Sequence, residues 1–383
     1  FKHMNNRINV IEFITNLDEG GAESLVRDYA LLIDDKEINV ITVVMWPLHD
    51  DSPYVKALRE RGKTVLSIYS RKRICQTFVG QKIWNRLMHD EYVKNKLLKI
   101  IKEYNVSVIH SHLEVLYYIK LISKQIRGKV KLFFTCHSMP SFIFKKTKWR
   151  NEKPAAQYLV GHNNLQLIAL HDNMQKELND MFDIDNTIVL PNGIDFSKYQ
   201  NINETTAEIR DSINVPNDSY VIGHIGRFTE AKNHEKLVDI FREAVNREPS
   251  AYLLMIGTGE LQEAVESKLA KYGLEDKYKI LQKRNDIPRL LRAMDVFVFP
   301  SVFEGLPVTL VEAQISNLRC IISTRVTDEC FFSENAVPLD VTAPTSDWVD
   351  AIFDKEIKGP YHNNIMAFNM NSVISRLSSL YKF

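Results

Sequence analysis

Short runs of β-branched and aromatic residues alternate along the chain with longer stretches whose apolar positions recur every three or four residues. Arg7–Ile14 predicts a strand and Ala22–Leu32 the helix after it. Glu37–Val44 predicts a second strand, Pro53–Arg61 a helix and Thr64–Ile68 a third strand. Glu91–Tyr104 carries an apolar stripe at helical spacing. Val108–His110, Val130–Thr135 and Gln166–Leu170 predict further strands with helices between them. Near Thr187–Leu190 the rhythm begins again. Tyr220–Ile225, Ala251–Ile256, Tyr278–Leu281 and Val296–Pro300 predict strands, and His234–Glu248, Glu260–Tyr272 and Asp286–Met294 predict helices.

Strands alternating with helices mean βαβ units, parallel sheets and right-handed crossovers. The fold class is therefore α/β. One doubly wound sheet rarely uses so many strands, so two such domains are expected, at about 4–190 and 191–363. The remaining segment, 364–383, has helical spacing over Ile365–Tyr381 and is expected to pack back on the first domain. Ligands of open parallel sheets bind beyond the carboxyl ends of the strands, which makes the cleft between the two domains the expected site.

Composition narrows the classes. Hydrophobic residues are 45 % and charged residues 25 %, as in ordinary globular proteins. Lys and Arg total 49 against 48 for Asp and Glu, a net charge of +1, which lacks the basic excess of a nucleic-acid binder. Apolar runs such as Val296–Phe299 fall far short of the ~18 residues of a membrane span. The start of the chain lacks the order of a secretory signal, and Phe1-Lys2-His3 before Met4 read as an expression remnant. Cys75, Cys136, Cys320 and Cys330 have no metal-binding spacing, so reduced thiols in a cytoplasm are expected.

The most informative segment is Pro300-Ser301-Val302-Phe303-Glu304-Gly305-Leu306-Pro307-Val308-Thr309-Leu310-Val311-Glu312-Ala313-Gln314. An apolar strand ends at Pro300, and a helix is expected to begin at Pro307, whose missing N–H costs nothing there. The free amides of that helix start, with flexible Gly305, suit a phosphate. Glu312 follows Val308 by four residues, which puts a carboxylate on the apolar helix face and demands a partner. A hydroxyl-rich ligand is one candidate; a Lys or Arg at a domain rim is the other.

A second segment reads Ile222-Gly223-His224-Ile225-Gly226-Arg227-Phe228-Thr229-Glu230-Ala231-Lys232-Asn233-His234. Arg227 and Lys232 follow a strand end, where a planar fork and a point charge together suit a diphosphate. Two solvated surface cations would look the same. Leu190-Pro191-Asn192-Gly193-Ile194-Asp195 reads by itself only as a strand end and a turn. Asp183-Ile184-Asp185 has a spacing used for divalent ions, but it lies in a polar segment and reads as a loop.

Together these segments resemble the family-4 retaining glycosyltransferases of the GT-B fold. The resemblance rests on Gly20-Gly21-Ala22-Glu23, Pro191-Asn192-Gly193-Ile194-Asp195, Gly226-Arg227-Phe228 through Lys232-Asn233, Ile256-Gly257-Thr258-Gly259, and the Glu304-x7-Glu312 signature, in that order. It implies two Rossmann-like domains facing a central cleft, with acceptors on the first and the nucleotide sugar on the second. It implies that Arg227 and Lys232 grip the donor diphosphate, that Glu304 contacts the transferred sugar, and that Glu312 binds the ribose. Gly305 and Leu306 would line the phosphates, Gly20 and Gly21 would approach the donor closely, and Asn192 and Gly257 would belong to the donor site. UDP is the family's commonest carrier. No metal and no cofactor beyond the nucleotide-sugar substrate are implied.

His137, after a strand in Thr135-Cys136-His137-Ser138, aligns with a family histidine that faces the sugar; a histidine merely satisfied at a strand end is the alternative. In Ile109-His110-Ser111-His112, His112 is expected near the acceptor and His110 reads as structural. Ser70-Arg71-Lys72-Arg73, leading to Phe78 and Trp84, and Phe142–Arg150 mix cations with aromatics. Such mixtures suit an anionic membrane surface or a lipid-diphosphate acceptor, and equally a solvated loop; peripheral contact with the inner face of a membrane is the expectation drawn. Beyond Ser323-Thr324 the family's small, glycine-rich run is replaced by Arg325-Val326-Thr327-Asp328-Glu329-Cys330-Phe331-Phe332, which makes donor preference unsafe to transfer. The function expected is sugar transfer to a saccharide or lipid-linked acceptor in bacterial surface polysaccharide or glycolipid synthesis. An epimerase of the same architecture and a non-catalytic nucleotide-sugar binder are the competing readings.

Overall fold

A computed structural model of the chain describes residues 7–18, 20–70, 86–144, 152–282, 284–302, 304, 306–360 and 363–382. The chain divides into two compact units, residues 1–193 with 370–383, and residues 194–369.

The first unit carries seven parallel strands: β1 (Ile8–Ile14), β2 (Ile38–Val44), β3 (Thr64–Ser67), β4 (Val108–His112), β5 (Lys131–Thr135), β6 (Gln166–Ala169) and β7 (Ile188–Val189), in the spatial order β3-β2-β1-β4-β5-β6-β7. Side chains alternate between the two faces of the sheet. Ile11, Phe13, Ile41, Val43 and Ile109 face one apolar core, and Val10, Ile14, Val40, Val44 and Val108 face the other. Both faces are covered, which is why these strands read as continuous apolar runs.

The cover on the second face includes the end of the chain. Met370, Val373, Ile374, Leu377 and Tyr381 of the Met370–Lys382 helix recur at helical spacing and are buried in that core. The helix starts later than its apolar spacing suggests. Asn364 caps a short 3-10 turn over Ile365–Phe368 by accepting from the Met366 N–H, and this turn belongs to the second unit.

The second unit carries six parallel strands: β8 (Tyr220–Ile225), β9 (Ala251–Ile256), β10 (Tyr278–Leu281), β11 (Val296–Phe299), β12 (Arg319–Ser323) and β13 (Ala336–Leu339), ordered β10-β9-β8-β11-β12-β13. The order reverses between β8 and β11, just as it reverses between β1 and β4 in the first unit. These are the switch points at which such sheets open a crevice for ligands. β12 and β13 lack a clean sequence signal. Arg319 opens β12, its guanidinium turned back to the carbonyls of Ala351, Asp354 and Ile357 at 2.8, 3.0 and 2.7 Å. Pro338 interrupts β13, which an edge strand tolerates.

Among the described residues no helix is long and apolar enough to cross a membrane.

Candidate functional site

In the second unit the loops after β8 and β11 meet beyond the switch point. After Gly226 and Arg227, a 3-10 turn at Glu230–Lys232 leads through Asn233, in left-handed conformation (φ 54°), into the His234–Arg247 helix. The Asn233 side-chain amide donates to the Pro300 carbonyl (3.0 Å), and the Val302 N–H donates to the Ala231 carbonyl (2.9 Å). The two loops are thus tied, and Lys232 Nζ meets Glu304 Oε1 at 2.5 Å. Each side chain is 17 % exposed, and the ammonium also lies 4.7 Å from the centre of the Phe299 ring. Arg227, one residue after Gly226 in the same loop, is exposed.

Two glycines shape the loop for packing reasons. Gly257 has φ +154°, and a Cβ there would sit 2.0 Å from the Gly226 carbonyl oxygen, so the ends of β8 and β9 approach too closely for a side chain. A Cβ on Gly226 would press on Lys232 and His224. Beneath them, burial and the Lys232 charge keep His224 and His234 neutral, His234 at about 4, with Phe228 stacked on His234 at 4.2 Å.

Glu312 sits on the Val308–Ile315 helix, and its carboxyl is raised above the ordinary range by burial. Its partner is neither a cation nor open space: the Tyr199 hydroxyl donates to Oε1 at 2.5 Å. Pro307 is the residue capping this helix rather than its first residue, and its carbonyl accepts from Leu310. Leu306 is half-buried and packs against the apolar cores, while Gly305 lies outside the described residues. The 325–332 segment is anchored at its end: Gln314 donates to the Cys330 carbonyl and accepts from the Phe332 N–H, with Cys330 and Phe331 fully buried, while Arg325 and Asp328 are exposed.

In the first unit, Gly20 precedes the Gly21–Leu32 helix in extended conformation, and its carbonyl accepts from Ser24. A Cβ on Gly21 would meet nothing within 4 Å, so the first unit itself does not demand glycine there. Asn192, one residue before the chain leaves this unit for the second, has its side-chain oxygen buried and without a partner among the described residues.

The histidines form a chain at the β1/β4 switch point. His137 Nε2 lies 2.8 Å from His112 Nδ1, and His112 Nε2 lies 2.7 Å from Glu12 Oε2. His112 is fully buried with both ring nitrogens engaged by protein partners; His137, half-buried, has an Nδ1 with no partner among the described residues. His110 bonds Tyr381 and Thr135, in keeping with a structural role. Glu12, His110 and His112 each bring one ligand atom within 4.8 Å of the others, a spacing a divalent ion can use. Asp183 of the Asp183/Asp185 pair is the left-handed cap of the Asp172–Phe182 helix.

Sequence reasoning passed over Glu12, Tyr199 and Tyr381. Glu12 alone left a trace, as the one carboxylate inside the apolar run Ile8–Ile14. Of the cationic–aromatic stretches, Arg71, Lys72, Arg73, Phe78, Trp84 and Lys145–Arg150 lie outside the described residues; Phe142 is 73 % exposed.

Comparison with known proteins agrees with this architecture. Residues 20–198 match the model of Glycosyltransferase Family 4, and residues 205–328 match that of Glycosyl transferases group 1. A putative glycosyltransferase, EpsF, of Bacillus subtilis is 32 % identical over 52 % of this chain and 47 % of its own length. The Escherichia coli UDP-Gal:alpha-D-GlcNAc-diphosphoundecaprenol alpha-1,3-galactosyltransferase is 29 % identical over 61 % of this chain and 62 % of its own. The matched region thus spans about half to three-fifths of these two relatives. Among solved structures, a glycosyltransferase from Rickettsia africae superposes with TM-score 0.74 at 17 % identity, covering 98 % of both chains. Anabaena HepE in complex with UDP and glucose superposes with TM-score 0.71 at 17 % identity, covering 98 % of this chain and all of that one. Two parallel Rossmann-like sheets of this order define a GT-B protein. The chain belongs to the family-4 glycosyltransferases, with a group 1 glycosyltransferase region in its second unit.

Proposed function

We propose that the protein is a retaining, metal-independent glycosyltransferase that moves a sugar from a nucleoside-diphosphate donor, UDP in the first instance, to a saccharide or lipid-linked saccharide in bacterial surface-polysaccharide synthesis. The observation that carries this reading is the Lys232–Glu304 contact at the β8/β11 switch point, on the loop that also carries Arg227. The names of relatives support the substrate class: the E. coli enzyme uses UDP-Gal and a diphosphoundecaprenol acceptor, and CapH of Staphylococcus aureus serves capsular polysaccharide.

In this reading Arg227 and Lys232 face the departing diphosphate. As the anomeric C–O bond to phosphate breaks, negative charge grows on the phosphate oxygens and positive charge on the sugar ring. Fixed cations aimed at that charge lower the barrier without reorganising. The acceptor oxygen bonds to the anomeric carbon on the face the phosphate leaves, and its proton passes to the phosphate. Glu304, released from Lys232 when the diphosphate takes that cation, holds sugar hydroxyls, and Glu312 with Tyr199 presents a carboxylate to a ribose.

The test is release of nucleoside diphosphate from a panel of nucleotide sugars, with and without saccharide acceptors and with a chelator present. Lys232→Ala and Glu304→Ala should each lower turnover by about 10²–10³ while the fold persists by circular dichroism. Near wild-type turnover in either variant removes the assignment. Isomerised donor without diphosphate release would instead indicate the epimerase, and binding with neither a non-catalytic module.

A further inference from the structure

The proposed reaction leaves unexplained a fully buried polar cluster that His137 contacts through His112. Glu12 stands opposite His110 in the β1–β4 pairing, and His112, two residues on, shares the same sheet face. Thr135 stands opposite His112 on β5. The Met370–Lys382 helix lies over this face and adds Tyr381. Glu12, His110, His112, Thr135 and Tyr381 are each at most 2 % exposed.

The hydrogen bonds run in one direction. The Tyr381 hydroxyl donates to Glu12 Oε1 at 2.5 Å, while its oxygen lies 2.6 Å from His110 Nδ1. His112 Nε2 faces the other oxygen of Glu12. The neighbouring histidines and their hydrogen bonds hold Glu12 ionised, well below the ordinary carboxylate range, despite its burial. An ionised carboxylate only accepts, so His112 Nε2 carries the proton. Burial keeps His112 neutral, with a pKa of about 4, so its Nδ1 has no proton and accepts. His137 Nε2, 2.8 Å away, must therefore donate, and burial holds His137 neutral too. Its Nδ1 is left as a bare acceptor, shielded from solvent and unpaired among the described residues.

We propose, resting on the transferase reading, that Glu12 and His112 are positioning residues that fix His137 in the Nε2–H form, so that its Nδ1 accepts a hydrogen bond from a hydroxyl of the sugar-bearing ligand. Tyr381 holds Glu12 in place from the C-terminal helix. The ligand this geometry selects is one with a hydroxyl donor at that point; an ether, a deoxy position or an acceptor-only group finds no partner. A divalent ion is not needed to explain the cluster. Both Glu12 oxygens already accept from a donor, and all four ring nitrogens of His110 and His112 are engaged.

The test is long-range proton–nitrogen NMR of the full chain labelled with 15N-histidine, assigned with His137→Gln. The wild-type protein should show His112 and His137 both protonated at Nε2, with the His137 Nδ1 signal moving on addition of a UDP-sugar. Glu12→Leu leaves His112 Nε2 without its acceptor, so the His112 and His137 forms should become mixed. Turnover should then fall by roughly 10–100-fold, the range seen when an orienting partner is lost. Tyr381→Phe should keep both forms unchanged while weakening the fold, which separates positioning from mere packing. A wild-type His137 protonated at Nδ1 overturns the proposal, and that spectrum requires no variant to fold. So does a Glu12→Leu protein whose His137 signature is unchanged, or a stoichiometric metal ion in the purified protein. If no nucleotide sugar is turned over by the wild type, the transferase reading fails, but the two protonation states stand as measured.

Discussion

At the scale of single residues, the donor-side loop is held by one close approach. Gly257 lets the end of β9 pass the Gly226 carbonyl, and Gly226 leads directly into Arg227 and Lys232. The sequence presented Gly257 as a donor-site glycine; packing and a positive φ account for it without a ligand. Gly257→Ala combines a conformation L-residues rarely adopt with a Cβ 2.0 Å from an oxygen. It should cost at least about 1–3 kcal/mol in urea unfolding and lower turnover as well, because the loop must move aside. Unchanged stability would mean that this crossing is looser than described. Glu12 teaches the opposite lesson. A carboxylate among apolar strand residues needs a partner, and that much was legible in Ile8–Ile14. Which partner it takes was not, because His112 and Tyr381 are brought to it by strand pairing and by a helix from the far end of the chain.

At the scale of elements, the alternation of strands and helices was readable wherever β-branched runs were uninterrupted, as in β1, β2, β8 and β9. β12 and β13 escaped because Arg319 and Pro338 break the apolar pattern; Arg319 is satisfied by tertiary partners no local pattern reveals, and Pro338 is tolerated by its place on an edge strand. The same holds for Glu312. Its place on the apolar face was legible, but Tyr199 reaches it from the separate short helix Ser197–Gln200. This pair has a pH consequence. Burial raises the Glu312 pKa above 4.5, so the folded protein binds this proton more tightly than the unfolded chain does. The penalty is absent below the ordinary value and grows as pH rises through the raised one. Glu312→Gln removes the charge and still accepts from Tyr199. It should therefore unfold at a higher temperature than wild type at neutral pH, by an amount that shrinks toward zero as the pH is lowered past 4.5, while turnover falls. A variant no more stable than wild type at neutral pH would show that the carboxylate is better solvated than its surroundings imply.

At the scale of the whole molecule, the two sheets are built alike but closed differently. The second unit is one continuous segment, 194–369, whereas the first is completed by the last residues of the chain. Met370, Val373, Ile374, Leu377 and Tyr381 supply five buried side chains to one face of its sheet. At roughly 1.5–3 kcal/mol for each large side chain buried, their loss rivals the whole stability of a domain, about 5–15 kcal/mol. A chain ending at Asn369 should therefore lose the first unit's cooperative unfolding and bind a hydrophobic dye. Lys382→Ala should change little by comparison, because the ion pair of Lys382 with Glu37 is exposed and such pairs contribute at most about 1 kcal/mol. Lys232, Glu304, Glu312 and Tyr199 all lie in the segment that does not depend on the helix. The shortened chain should then keep one thermal transition that UDP raises, by about 2.7 kcal/mol at a hundredfold excess over Kd. Loss of that UDP response, with the second unit still folded by circular dichroism, would place part of the nucleotide's binding in the first unit and not wholly between the ends of β8 and β11.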